Sequence, residues 1–198
     1  MYWLKRNGNI SFQNNYMTST AESQRKSRSA NRRTRPLARE VVVEALPPFW
    51  QNDSRLLILG SFPSSRSRQA GFYYANPRNR FWQVLAAIFA VPLPQDEAAQ
   101  RELLRRQRIA LWDVVASCEI SGSSDSSIQA ARANDLRPLL AAAPISRICL
   151  NGGTAARLYR QQVYPVLQRE ALCLPSTSAA NAAWSLERLV AAWRGIVE

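Results

Sequence analysis

From residue 55 onward, short apolar runs alternate with segments whose apolar residues recur every three or four positions. This alternation restricts the available folds more than any other feature. Arg55 to Leu59 reads as a buried strand, and Phe81, Val84, Leu85, Ile88 and Phe89 then mark one face of a helix. A second helix spans about Gln95 to Arg106, followed by the strand Ile109 to Val115 and an irregular Ser- and Gly-rich connection, Ser121 to Ser127. Asn134-Asp135 signals a helix start before Leu136, Leu139 and Leu140, with Pro138 in the first turn. A third strand, Arg147 to Leu150, meets Asn151-Gly152-Gly153 and a helix through Ala155, Leu158, Tyr159 and Gln162. The fourth, Ala171 to Leu174, stops at Pro175, and a last helix carries Trp184, Leu186, Leu189, Val190 and Trp193. Strands alternating with helices pair in parallel through right-handed crossovers. The expectation is an α/β fold, a three-layer α/β/α sandwich around a central four-stranded parallel sheet.

Two strand exits carry unusual loops. One is Leu59-Gly60-Ser61-Phe62-Pro63-Ser64-Ser65, leading into Tyr73-Tyr74-Ala75-Asn76-Pro77-Arg78-Asn79-Arg80-Phe81-Trp82; the other is Leu174-Pro175-Ser176-Thr177-Ser178. If their strands are parallel neighbours, both loops leave the same sheet edge and converge on one crevice, where open α/β sheets place ligands.

A chain of 198 residues with 46% apolar content is enough for one domain with a core plus a tail. Its net charge of +12 implies a polyanionic partner, nucleic acid or an acidic membrane surface. The charge is uneven. Residues 1–36 hold eight Lys or Arg against one acid, Glu22, whereas residues 37–198 hold eighteen against thirteen. Arg25 to Arg35, rich in Ser and Asn and nearly free of aliphatics, cannot offset the entropy of ordering, so 1–36 is expected to be a disordered basic tail and 37–198 the folded domain. The tail lacks the apolar core of a secretory signal; a nucleic-acid-binding arm, an organelle transit peptide and a chain that starts at Met17 all remain open for it.

What is missing excludes much chemistry. Without His there is no Ser-His-Asp triad, no imidazole acid or base and no His-containing zinc site. Cys118, Cys149 and Cys173 stand too far apart for a CxxC pair. They read as buried small apolar residues in a reducing compartment, here the cytoplasm. Lys5 and Lys26, both in the tail, are the only lysines, which argues against a Schiff-base step. No run approaches the roughly 20 apolar residues of a membrane helix. No metal, cofactor or membrane partner is expected.

Gly60-Ser61-Phe62-Pro63, the block Tyr73 to Trp82, Ala110-Leu111-Trp112-Asp113-Val114-Val115, Asn151-Gly152 and Leu174 to Ser178 together resemble the hypoxanthine-DNA glycosylase (DNA-deoxyinosine glycosylase) family of the uracil-DNA glycosylase superfamily. The resemblance extends from about Leu46 to Ile196 and keeps the order and spacing of every block. It implies a monofunctional DNA glycosylase that hydrolyses the N-glycosidic bond of deaminated bases in single- or double-stranded DNA during base excision repair, with hypoxanthine preferred and uracil or xanthine as further substrates. A different class, a noncatalytic nucleic-acid-binding module on the same fold, stands as the alternative, and a small-molecule nucleosidase is a third reading.

The same resemblance assigns roles to positions. Asn79 matches the residue that holds the attacking water; an amide is no strong base but can orient water by hydrogen bonds. The plainer reading is that Asn79 caps the helix beginning near Arg80. Phe62 stands where many relatives carry a water-activating Asn or Asp, which shifts weight to Asn79. Ser61 and Gly60 permit close approach of the base. Tyr74 aligns with an aromatic that stacks on the extruded base, with Tyr73 a rival and a core tyrosine the bland reading. Asp113 either accepts from hypoxanthine N1–H or caps a turn, and Asn151 either bonds at the pocket floor or serves a tight turn. Ser176, Thr177 and Ser178 suit a phosphate seat ahead of a helix. Asn181, with Ala179 and Ala180, belongs to a loop entering the minor groove. Ser64, Arg66 and Arg68, with Arg78 and Arg80, are placed to meet DNA.

Overall fold

The computed structural model describes residues 40–43, 46–121 and 127–197; the expected basic tail, residues 1–36, lies outside them. In chain order the elements are β1 (Glu40–Val43), β2 (Leu56–Gly60), α1 (Ser65–Ala70), α2 (Phe81–Ile88), α3 (Glu97–Arg106), β3 (Ile109–Asp113), β4 (Val115–Ile120), β5 (Gln129–Ala133), α4 (Arg137–Ala142), β6 (Arg147–Asn151), α5 (Gly153–Leu158), α6 (Tyr164–Leu167), β7 (Leu172–Leu174) and α7 (Leu186–Trp193).

The central sheet is four-stranded and parallel, ordered β3-β2-β6-β7. All five residues of β2 are buried, as expected for a strand with both faces covered. Successive side chains point to opposite faces, so parity sorts the core. Leu56, Ile58, Ile109, Leu111, Cys149 and Leu174 meet α2, α3 and α7 through Phe81, Leu85, Leu104, Leu189 and Trp193. Leu57, Leu59, Ala110, Ile148 and Leu150 meet α4 and α5 through Leu139, Ala155 and Leu158. These are the three layers of the expected sandwich.

The register brings the strand exits level. Gly60 pairs with Asp113, Leu59 with Leu150, and Asn151 with Leu174, so β3, β2, β6 and β7 all finish on one rim. The two motif loops therefore leave from the same edge, as the alternation predicts.

Several elements differ from expectation. The strand foreseen as Ile109 to Val115 ends at Asp113; after Val114 the chain enters β4, which joins β1 and β5 in a separate antiparallel sheet ordered β1-β4-β5. The break is held by Val114 and Val115, whose N–H groups donate to the Gly60 and Ser61 carbonyls at 2.8 and 3.1 Å. β5, Gln-Ala-Ala-Arg-Ala, has little strand propensity, and its pairing with β4 creates the strand. Of the Ser/Gly-rich connection, residues 122–126 lie outside the described set. α1 forms where a loop was expected, because Ser64 Oγ accepts from the Ser67 N–H at its start and Gly71 closes it at φ 71°. The helix after β6 passes through a π-helical turn, Tyr159–Val163, before α6. The last helix starts at Leu186, capped by Ser185, so Trp184 precedes it. Cys118 and Cys149 are buried as expected, and burial pushes the Cys149 thiol up to about 11. Cys173 is exposed, because β7 is an edge strand. Among the described residues no helix is long and apolar enough to cross a membrane.

Trp193 ties the helical layer to the second motif loop. Its fully buried indole packs edge-on against Phe81, ring centres 5.9 Å apart, and its Nε1–H donates to the Pro175 carbonyl at 3.0 Å. Trp193→Ala is expected to lower the unfolding free energy by about 3–5 kcal/mol, measured by denaturant titration.

Candidate active site

A cavity of about 410 Å³ opens at the level strand ends, within the range of small-molecule and base-sized sites. It is lined by both motif loops: Ser61, Phe62, Tyr74 and Asn79 on one side, Ser176 and Ser178 on the other, with Asp113 and Asn151 below.

At the floor, Asp113 is 5% exposed and lies across Gly60. A Cβ at Gly60 would collide with Asp113 Oδ1 and sit 3.4 Å from the Tyr74 hydroxyl, so glycine is needed there for close approach. The Asp113 carbonyl accepts from Asn134 Nδ2 at 2.9 Å, and the residue lines the cavity. Tyr73 is buried with its hydroxyl donating to the Pro47 carbonyl at 2.8 Å. Burial, and then the Asp113 charge, pushes that phenol up, so it stays a neutral donor. Tyr74 adopts φ 55°, an uncommon conformation for a bulky residue, and one face of its ring stacks on Phe81 at 3.8 Å between centres. The Ser67 hydroxyl, accepting from the Ala75 N–H at 3.3 Å, holds this turn against α1.

The second loop leaves β7 and returns across the rim. Gly152, at φ 103°, lets β6 turn sharply, and a Cβ there would come within 2.8 Å of Ser176 Cβ. Asn151 ends β6 just before this turn and lines the cavity, with its amide bonded to Thr177. Its Oδ1 accepts from the Thr177 N–H at 3.0 Å, and its Nδ2 donates to Thr177 Oγ1 at 3.0 Å. The Thr177 hydroxyl in turn donates to Asn79 Oδ1 at 2.8 Å. Asn79 Oδ1 also accepts from the Phe81 N–H at 3.0 Å, so Asn79, one residue before the N-cap Arg80, satisfies the first N–H of α2 while lining the cavity.

The phosphate seat expected at 176–178 takes a different form. Thr177 is fully buried and its N–H is taken by Asn151, so it cannot meet a phosphate. The Ser178 and Ala180 N–H groups are held by the Ser176 and Ser178 hydroxyls at 3.2 and 3.3 Å. α7 begins only at Leu186, and its first turn is capped by Ser185. The loop is thus stitched to itself, with Asn181 Nδ2 donating to the Ser176 carbonyl at 2.9 Å.

The arginines divide as well. Arg66 and Arg78 are exposed, and Arg78 lines the cavity. Arg68 folds back over Phe62, 5.6 Å from the ring centre, and donates to the Pro63 carbonyl at 3.1 Å. Arg80, expected among the phosphate contacts, is engaged elsewhere. Its guanidinium donates to the carbonyls of Thr177, Ser178 and Asn181 at 3.4, 2.7 and 3.1 Å, and to that of Trp184. Sequence reasoning missed this clamp, although a signal existed. A cation at the start of a helix opposes the macrodipole, so Arg80 needed acceptors outside α2. Thr177 as an inward link gave no such signal, because its neighbours Ser176 and Ser178 carry the same chemistry.

The clamp predicts that Arg80→Met frees the loop carbonyls, lowers stability by about 1.5–3 kcal/mol and speeds amide exchange over residues 177–184. Arg80→Lys is expected to restore only part, because an ammonium cannot span the same fan of acceptors. Denaturant titration and hydrogen exchange check both.

Residues 47–196 match the Uracil DNA glycosylase superfamily. A Hypoxanthine DNA glycosylase of Methanosarcina acetivorans is 36% identical over 154 residues, 75% of this chain and 94% of that protein. One of Methanosarcina barkeri is 31% identical over 139 residues, 70% of this chain and 87% of that protein. A solution NMR structure from Methanosarcina acetivorans, described as a candidate uracil DNA glycosylase, superposes with a TM-score of 0.65 at 32% identity, covering 80% of this chain and all of that one. With the level strand ends and the two-loop cavity, these matches establish that the chain belongs to the uracil DNA glycosylase superfamily and is a DNA glycosylase.

Proposed function

We propose that the protein releases deaminated bases from DNA by hydrolysing the N-glycosidic bond, hypoxanthine first among them, with uracil and xanthine as further substrates, as the opening step of base excision repair. The observation that carries this reading is the convergence of the Asn79 amide and the Asp113 carboxylate on one base-sized cavity. The names of the Methanosarcina relatives support hypoxanthine.

The chemistry begins with extrusion of the nucleotide, which costs a few kcal/mol and least for a poorly paired base. In the cavity Asp113 accepts from the ring N–H that hypoxanthine, xanthine and uracil carry where adenine and cytosine carry a lone pair. The carboxylate therefore attracts hypoxanthine and uracil and repels their parents, adenine and cytosine; guanine, the parent of xanthine, carries the same N–H and is not distinguished by this contact. Phe62 supplies an apolar wall and no water-activating group, and Tyr74 supplies the stacking ring. The C1′–N bond breaks with its electron pair leaving on the base. A water oxygen then bonds to the electron-poor C1′, and its proton passes to the departing base or to solvent. Asn79 acts at this centre by hydrogen bonding, since an amide cannot take a proton. The chain has no Lys after Lys26, so no Schiff base forms with the sugar and the product is an intact abasic site.

Arg66, Arg68 and Arg78, with Ser64, Ser176, Ser178 and Asn181, face the DNA around the cavity mouth. Each phosphate neutralised steepens the salt dependence of binding by about 0.9 in log–log slope. The glycosylase domain comprises residues 37–198, and the basic segment 1–36, with eight Lys or Arg against one acid, adds positive charge that favours a polyanionic partner.

Incubation with duplexes containing hypoxanthine, uracil or xanthine, followed by alkali, is expected to reveal strand breaks at the modified base, fastest for hypoxanthine. Asn79→Ala is expected to reduce them to a small residual rate while DNA binding persists. Duplexes left intact would favour a binding module, and release from free inosine without salt dependence would favour a nucleosidase.

A further inference from the structure

The hydrogen bonds that run from Asn151 to Asn79 fix the direction in which the Asn79 amide faces as well as its position. Both ends of the chain are backbone N–H groups, which can only donate. The Thr177 N–H sets Asn151 Oδ1 toward itself at 3.0 Å, and the Phe81 N–H sets Asn79 Oδ1 toward itself at 3.0 Å. Asn151 therefore presents Nδ2 to Thr177 Oγ1, 3.0 Å away. Having accepted there, the Thr177 hydroxyl spends its single proton on Asn79 Oδ1 at 2.8 Å. Asn79 Oδ1 thus accepts twice. The polar group left for the cavity is Nδ2, with N–H donors and no accepting lone pair. Thr177 is fully buried and Asn151 is 8% exposed, so the two bonds between them are shielded from water.

We propose that Thr177, held by Asn151, is a positioning residue that locks the Asn79 amide with its NH2 group toward the cavity, so that Asn79 acts on the bound nucleotide as a hydrogen-bond donor. The inference rests on the reading of Asn79 as the catalytic residue and adds the polarity of its action. As the C1′–N9 bond breaks, its electron pair leaves on the purine and the negative charge spreads to N3, N7 and O6. A fixed donor at one of these acceptors stabilises that charge where it develops. Water still adds through its own lone pair, and its proton passes to the purine anion or to solvent; Asn79 takes no proton.

Thr177→Val keeps the shape and removes the hydroxyl, and Thr177→Ser keeps the hydroxyl. Single-turnover release of hypoxanthine is expected to fall roughly 100-fold in the Val variant, the scale of a misplacement of about 1 Å at the reacting centre. It is expected to return near wild type in the Ser variant. In an Asn79→Ala background Thr177→Val is expected to add nothing, since its effect runs through Asn79. Asn79→Asp keeps the acceptor for Phe81 and Thr177 but turns a carboxylate oxygen to the cavity, and is expected to be as inactive as Asn79→Ala at neutral pH. An active Asn79→Asp, or a further loss from Thr177→Val without Asn79, overturns the proposal. An arm independent of turnover is the side-chain amide NMR signal of Asn79, identified by its loss in Asn79→Ala. It is expected to move in folded Thr177→Val and return in Thr177→Ser; a signal that stays put overturns the positioning role. A wild-type protein that releases no base while this signal still moves would instead refute the catalytic reading. Should Thr177→Val not fold, Asn79→Asp decides the polarity alone.

Discussion

The site depends on one buried joint, where the Thr177 side chain and N–H meet Asn151 at the end of β6 and the Asn79 amide ahead of α2. A polar side chain with no exposure is costly unless every hydrogen-bonding atom is matched, and here each one is. The joint couples three segments, the end of β6, the loop after β7 and the turn ahead of α2. Arg80 secures the same loop from outside the joint, a charged donor spread over carbonyls that would otherwise need water. The loop that rims the cavity is consequently ordered by contacts that involve no ligand.

Beneath the joint lies a simpler constraint. Four parallel strands in register end level, and three of them finish on a small or polar residue: Gly60, Asp113 and Asn151. The apolar parity of the strands holds two helical layers in place and so fixes the angle at which the loops leave. Gly60 and Gly152 serve close approach, the first to a carboxylate and the second to the backbone and side chain of Ser176. Exchange of either for a larger residue would push apart groups that the chemistry needs together.

Much of this was legible beforehand. The four strands, the helices that cross between them and the convergence of the two loops follow from apolar spacing, which is local information. The antiparallel sheet was not legible, because β4 continues directly from β3 and β5 has the composition of a helix or loop; only pairing makes them strands. α1 was hidden for a related reason, its five polar residues and one alanine giving no apolar stripe. At the site, Asn79, Asp113, Tyr74 and Asn151 were singled out and do line the cavity. Thr177 and Arg80 were singled out for the wrong partner, since both turn from DNA to protein.

The sequence by itself determined the layer order, the crevice and the limits of the chemistry: no imidazole, no lysine after residue 26, and an aromatic in place of a polar residue at Phe62. These depend on residue type and short-range spacing. Tertiary structure alone decided which polar atoms point inward and which way each hydrogen bond runs. Ser176, Thr177 and Ser178 are nearly equivalent as a string. Thr177 is distinguished only because its partners lie 26 and 98 positions away, where the sheet brings Asn151 and the start of α2 against one loop.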